Sequence, residues 1–163
     1  MNLFGDGKVH TGTDFELDGT KTHVEKYLKC DLKNYKFGLH GYIDYYKVDP
    51  DKKEIIICDL KTTGKTISDF AETVDFYNYW IQAAIYNYLV YKKLDAEDAD
   101  NYKIFFKFVV IDKYNQVYVF DVLESTMGKW AQGLSHILEQ ANYHYSERDY
   151  SLPYEFVINK PKL

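Results

Sequence analysis

The run Glu54-Ile-Ile-Ile-Cys-Asp-Leu-Lys61 is the strongest constraint on what this chain can fold into. Ile55 to Cys58 form an unbroken apolar stretch of mostly β-branched residues. Such a stretch predicts a strand enclosed on both faces, and hence a central one. Just upstream, Leu39 to Val48 mixes aromatic and β-branched residues, and Asp49-Pro50-Asp51-Lys52-Lys53 supplies turn chemistry. The two runs therefore predict a hairpin.

Around that hairpin the pattern alternates between the two periods. Val24, Tyr27 and Leu28 in HVEKYLKCDL have a helix-like spacing and predict a short helix, while the first fifteen or so residues read as a poorly specified arm. After a polar loop broken by Gly64 the chain turns helical beyond Ser68. The segment YWIQAAIYNYLVYKKL predicts a helix whose apolar stripe is Ile81, Ala84, Ile85, Tyr88 and Leu89. KIFFKFVVID and QVYVFDVL predict two more strands joined at Lys113-Tyr114-Asn115. Met127, Trp130, Leu134, Ile137, Leu138, Ala141 and Tyr145 mark a last helix, and SLPYEFVINKPKL a short edge strand ended by Pro161. With no repeat or linker visible, the expectation is one α/β domain over 1–163 with a mixed central sheet flanked by helices. Its core covers about 19–123 and its final helix 126–146.

Composition narrows the function classes. No run approaches the ~20 apolar residues of a membrane span, and MNLFGDGKVH lacks the apolar stretch of a signal peptide, so a cytoplasmic protein without membrane contact is expected. Cys30 and Cys58 lack CxxC spacing, which argues against cysteine-based zinc or iron–sulfur sites. A net charge of −5 argues against a broad nonspecific nucleic-acid coat, yet leaves room for a nuclease whose carboxylates await a metal ion. Arg148 is the sole arginine, so phosphate contacts would be made by lysine point charges.

Asp59 and Lys61 are two apart on a strand and so project to one face, while the hairpin turn near Asp51 brings Asp44 close to Asp59. Two carboxylates in close approach need a cation or a shared proton. Their hard oxygens suit Mg²⁺ or Mn²⁺, which lowers the pKa of a bound water and polarises a phosphate, with Lys61 orienting that water or stabilising developing charge. Gln82 and Tyr86 share one helix face and are placed to orient Lys61 or to touch a nucleic-acid backbone. Gly64-Lys65-Thr66 resembles the end of a P-loop, but Asp59 stands where that pattern requires glycine, and a carboxylate there repels phosphate. Lys65, like Lys47, is left as a DNA-phosphate contact.

GYID44, ICDLK61 and QAAIY86, preceded by GTKTH23, resemble the motifs of the PD-(D/E)XK nucleases in their RecB-like branch, from about Gly19 to Tyr91. The resemblance implies a restriction-endonuclease-like core. It also implies His23, Asp44 and Asp59 as metal ligands with the Leu60 carbonyl, Lys61 as the catalytic lysine, and Gln82 and Tyr86 as the motif glutamine and tyrosine. Ile43 replaces the motif proline, and the four-cysteine cluster of some relatives is absent. The implied activity is a metal-dependent DNA exonuclease of phage type, acting on DNA ends in recombination or repair, alongside a single-strand annealing protein. Rival readings are a catalytically silent nucleic-acid-binding module of the same fold, and a restriction or structure-specific endonuclease. His40 is a reserve ligand and Glu25 a second-metal contact.

Overall fold

The computed structural model describes residues 12–17, 19–94 and 99–159. Six strands form one sheet in chain order: β1 (Thr13–Leu17), β2 (Thr20–Asp31), β3 (Gly38–Asp49), β4 (Glu54–Thr62), β5 (Lys103–Ile111) and β6 (Val117–Val122). All neighbours run antiparallel except β4 and β5, which are parallel. That parallel step requires a crossover, and α1 (Phe70–Phe76) and α2 (Tyr79–Lys93) supply it. α3 (Glu124–Glu147) and α4 (Tyr154–Asn159) follow β6. The result is a mixed sheet with helices, a restriction-endonuclease-like α/β fold.

The core lies between one face of the sheet and the helices. Ile55 and Ile57 of β4 and Phe106, Phe108 and Val110 of β5 meet Phe70 and Val74 of α1 and Ala83, Tyr86, Leu89 and Val90 of α2. Trp130 of α3 packs edge-on against Phe108. β4 is central, as its sequence predicts, but it is not enclosed equally on both sides. Its burial alternates, with Ile56 and Cys58 only partly covered and Leu60 exposed.

Four local expectations are corrected. HVEKYLKCD, the segment up to Asp31, lies within strand β2 rather than a helix. Glu25 sits in the left-handed region at φ 51°, and this break in the strand blurs the two-residue alternation into a spacing that resembles a helix. Residues 13–17 of the expected arm pair with β2 as an exposed edge strand. The tail forms α4 instead of a strand, because Pro153 is preset for a helix start and its carbonyl accepts the Phe156 and Val157 amides; Pro161 lies outside the described residues. On α2, Ala84 and Leu89 of the expected stripe are buried, but together with Ala83, Tyr86 and Val90, while Ile81, Ile85 and Tyr88 are half-buried. The helix is rotated relative to its most apolar face so that Tyr86 points at the sheet.

Gly41 makes that approach possible. A Cβ there would lie 2.8 Å from Tyr86 Cε1 and 3.7 Å from Leu89 Cδ1. We expect Gly41→Val to cost about 1–3 kcal/mol by overpacking, read from the urea midpoint. An unchanged midpoint would show that α2 does not depend on this contact.

Candidate active site

The antiparallel ladder of β3 with β4 ends at the Tyr45–Cys58 pair, and one step further Asp44 comes opposite Asp59. There the side chain of Asp44 replaces backbone pairing: the Leu60 amide donates to Asp44 Oδ2 at 2.7 Å. Asp59 stays in the parallel ladder opposite Phe108, which draws its carboxylate under the helices until 1% of the residue remains exposed. The strand period places Lys61 on the same face, with Nζ 2.5 Å from Asp59 Oδ2.

A relay from α2 holds this lysine. Lys61 Nζ donates to Gln82 Oε1 at 2.7 Å, and Gln82 Nε2 donates to Tyr86 Oη at 2.7 Å. Nζ also lies 4.6 Å from the centre of the Tyr79 ring, a cation–π contact. Sequence reasoning missed Tyr79. The signal available was its position three residues before Gln82, which puts both on one helix face.

The electrostatics are those of a site short of positive charge. Burial pushes the Asp59 carboxyl above the usual carboxylate range and Asp44 adds to the rise, while Lys61 pulls against it. Burial likewise raises Tyr86, opposed by the Gln82 hydrogen bond and reinforced by Asp59 and Asp44. Asp59 Oδ2 is met by the Lys61 ammonium, which is its ion-pair partner in the site. Two carboxylates, Asp44 and the buried Asp59, converging beside one ammonium are an arrangement that a further cation stabilises.

His23 does not join the carboxylates. Register places it opposite Tyr46, onto whose ring it stacks with centroids 4.3 Å apart, and its Nδ1 lies 2.7 Å from Asp14 Oδ1. It lines a separate cleft of about 440 Å³ with Lys21, Lys53, Lys93, Tyr46 and Tyr102. Among the described residues no three His, Cys, Asp or Glu side chains form a metal-capable group. The three-ligand set His23, Asp44 and Asp59 is therefore not assembled. By register Glu25, between the Val24–Tyr45 and Lys26–Ile43 pairs, is the residue across from Asp44. His40 lies beside the Tyr27 ring, and the Lys65 amide donates to Thr63 Oγ1 in the exposed loop after β4. Asp14 was unreadable as a partner because its strand was read as an arm. Asp112 is a second buried acid; its Oδ1 accepts the Tyr114 and Gln116 amides and shapes the β5–β6 turn, while its Oδ2 is buried without a hydrogen-bond partner.

No described helix is long and apolar enough to cross a membrane. A sequence model of the PD-(D/E)XK nuclease superfamily matches residues 9–151. A search of curated proteins finds no significant match. Among solved structures, the chain is similar to a protein from Eubacterium rectale named a putative exonuclease, at 16% identity and a TM-score of 0.46. The match covers 72% of this chain and 41% of that one, so this chain spans less than half of that protein's length.

The charge balance yields a prediction for metal-free protein. The folded-state pKa of Asp59 lies above its unfolded value, about 3.9, so the folded protein keeps a proton that the unfolded chain releases. The resulting cost is absent below the unfolded value and grows as the pH rises through the folded one. Removing Lys61 raises the folded pKa further. In EDTA, Lys61→Met should match wild-type stability near pH ~3 and fall behind it progressively toward pH ~7, followed by urea unfolding. A difference independent of pH would contradict this account.

Proposed function

The chain belongs to the PD-(D/E)XK nuclease superfamily, and we propose that it is a DNA nuclease using Mg²⁺ or Mn²⁺, acting as an exonuclease on DNA ends. The observation that carries the reading is the convergence of two carboxylates, Asp44 opposite the buried Asp59, beside the Lys61 ammonium. Asp44, Asp59 and the Leu60 carbonyl are the groups to hold the ion. Two carboxylates with the remaining positions left to water and substrate phosphate match the habit of Mg²⁺ and Mn²⁺. Bound there, the ion would supply a water of lowered pKa and a Lewis acid for the phosphate.

The protein's own groups do the rest. Lys61 places a cation beside the reacting phosphate, to steady charge as it develops and to orient water. Gln82 accepts from Lys61 Nζ and is fixed in turn by Tyr86, so this pair sets the direction of the ammonium. Burial of Asp59 strengthens every charge interaction in the site. Lys65, in the loop leaving β4, is assigned to a substrate phosphate. His23 is not assigned as a ligand, since Asp14 and the Tyr46 ring occupy it. The exonuclease reading rests on the Gln82–Tyr86 spacing. A role in phage recombination or repair beside an annealing protein extends that reading.

The test is cleavage of linear and circular DNA in Mg²⁺, Mn²⁺ or EDTA by wild type, Asp59→Asn and Lys61→Met. We expect the linear substrate alone to be degraded, only with metal, and each variant to lose about 100-fold or more in rate. Wild type that cuts neither substrate, or variants as active as wild type, would overturn the assignment. A nicked or opened circle would transfer the protein to the endonuclease reading.

A further inference from the structure

The junction between α1 and α2 carries a feature that the catalytic reading does not use. Phe76 closes α1 with 76% of its surface exposed, and Tyr77 follows at 60%. Both large rings stand in solvent, and Tyr77 lies against the Tyr79 ring that meets Lys61. The backbone of the turn beneath them is held by hydrogen bonds. The Tyr77 amide donates to Thr73 O, the Asn78 amide to Asp75 O, and Trp80 Nε1 to Asn78 Oδ1 at 3.2 Å. Asn78 takes the left-handed conformation at φ 55°, which turns the chain sharply between the two helices.

The rings form a continuous series that ends on the lysine. Phe76 meets Tyr77 edge-on at 4.9 Å, Tyr77 stacks on Tyr79 at 5.5 Å and 22°, and the Tyr79 ring carries Lys61 Nζ at 4.6 Å. Asp59 acts electrostatically on the Tyr79 hydroxyl, which places this series within range of both charged residues of β4. The charged residues of α1 itself, Glu72 and Asp75, are both acidic. What the exposed junction offers is the rings of Phe76 and Tyr77, joined through Tyr79 to the lysine assigned to the scissile phosphate.

We propose that Phe76 and Tyr77, backed by Tyr79, form a stacking platform for unpaired nucleobases near the scissile phosphate, so that the substrate enters as a single-stranded or frayed end. The proposal rests on the nuclease reading for the identity of the strand and deepens it to a substrate class. Aromatic rings bind bases of any sequence, since every base presents a π-face, and stacking does not depend on salt. The platform therefore selects unstacked bases rather than a sequence.

The test separates the platform from the chemistry by measuring binding without turnover. Wild type, Phe76→Ala, Tyr77→Ala and the double variant are titrated in EDTA with a labelled single strand, the same strand with abasic positions, and a blunt duplex. Phe76 is largely in solvent, so its single variant keeps the fold, which far-ultraviolet dichroism verifies. We expect wild type to prefer the normal strand over both the abasic strand and the duplex. The double variant should lose about 10- to 100-fold on the normal strand and little on the abasic one, with the salt dependence unchanged. Tyr77→Phe should bind like wild type, because the ring face and not the hydroxyl is used. Equal losses on normal and abasic strands, or no loss, would overturn the proposal. So would a wild-type dimer that the double variant disperses while strand binding stays unchanged. Base-dependent binding without metal-dependent cleavage would overturn the catalytic reading and leave the platform standing; cleavage with base-independent binding would do the reverse.

Discussion

The contact between Lys61 and Asp59 is the constraint around which the rest of the molecule is arranged. A carboxylate at the enclosed end of a central strand is costly, and a single ammonium offsets only part of that cost. Moving Asp59 one position along β4 would turn it to the less covered face and relieve the burial. It would also separate it from Asp44, which lies opposite only because β3 stops pairing at Tyr45. The end of the β3–β4 ladder therefore does two things at once. It frees the Leu60 amide for Asp44, and it brings the two carboxylates of Asp44 and Asp59 to facing positions.

Helix α2 is the second half of the same device. Gln82 and Tyr86 are a turn apart, and the relay from Tyr86 through Gln82 to Lys61 requires the helix to lie close to the sheet. Gly41 permits that approach by leaving space under the Tyr86 ring. The small Ala83 next to Gln82 serves the same end, since it is buried within the core cluster between helix and sheet. Packing thus fixes a hydrogen-bond direction, and that direction fixes a charge.

Much of this was legible in the sequence wherever the carrying signal was local. The turn at Asp49 to Lys53 and the β-branched run after it determine the hairpin, and the hairpin alone brings Asp44 to Asp59. The i, i+2 and i, i+4 spacings likewise give Lys61 beside Asp59 and Gln82 beside Tyr86. Failures came where local and long-range signals conflict. β2 reads as a helix because Glu25 interrupts its alternation. The partners of His23 were hidden with it, since a histidine at a helix start projects differently from one held in a strand opposite Tyr46 and beside Asp14. The uneven cover of β4 was invisible because an apolar run records what a strand tolerates, not which elements lie over each face. Tyr79 was missed because a cation–π contact depends on where a lysine ends, which spacing alone does not fix.

Exposure of Phe76 and Tyr77 follows from the same geometry as the buried site. The chain must leave α1 and enter α2 with Tyr79 and Gln82 directed at Lys61, and Asn78 makes that turn in one left-handed residue. The two residues just before such a turn are carried outward, and polar side chains there would satisfy solvent at no cost. Two large rings in these positions instead leave apolar surface in water, and surface of that kind is characteristic of contact sites. The turn that aims the lysine thus also sets out the rings.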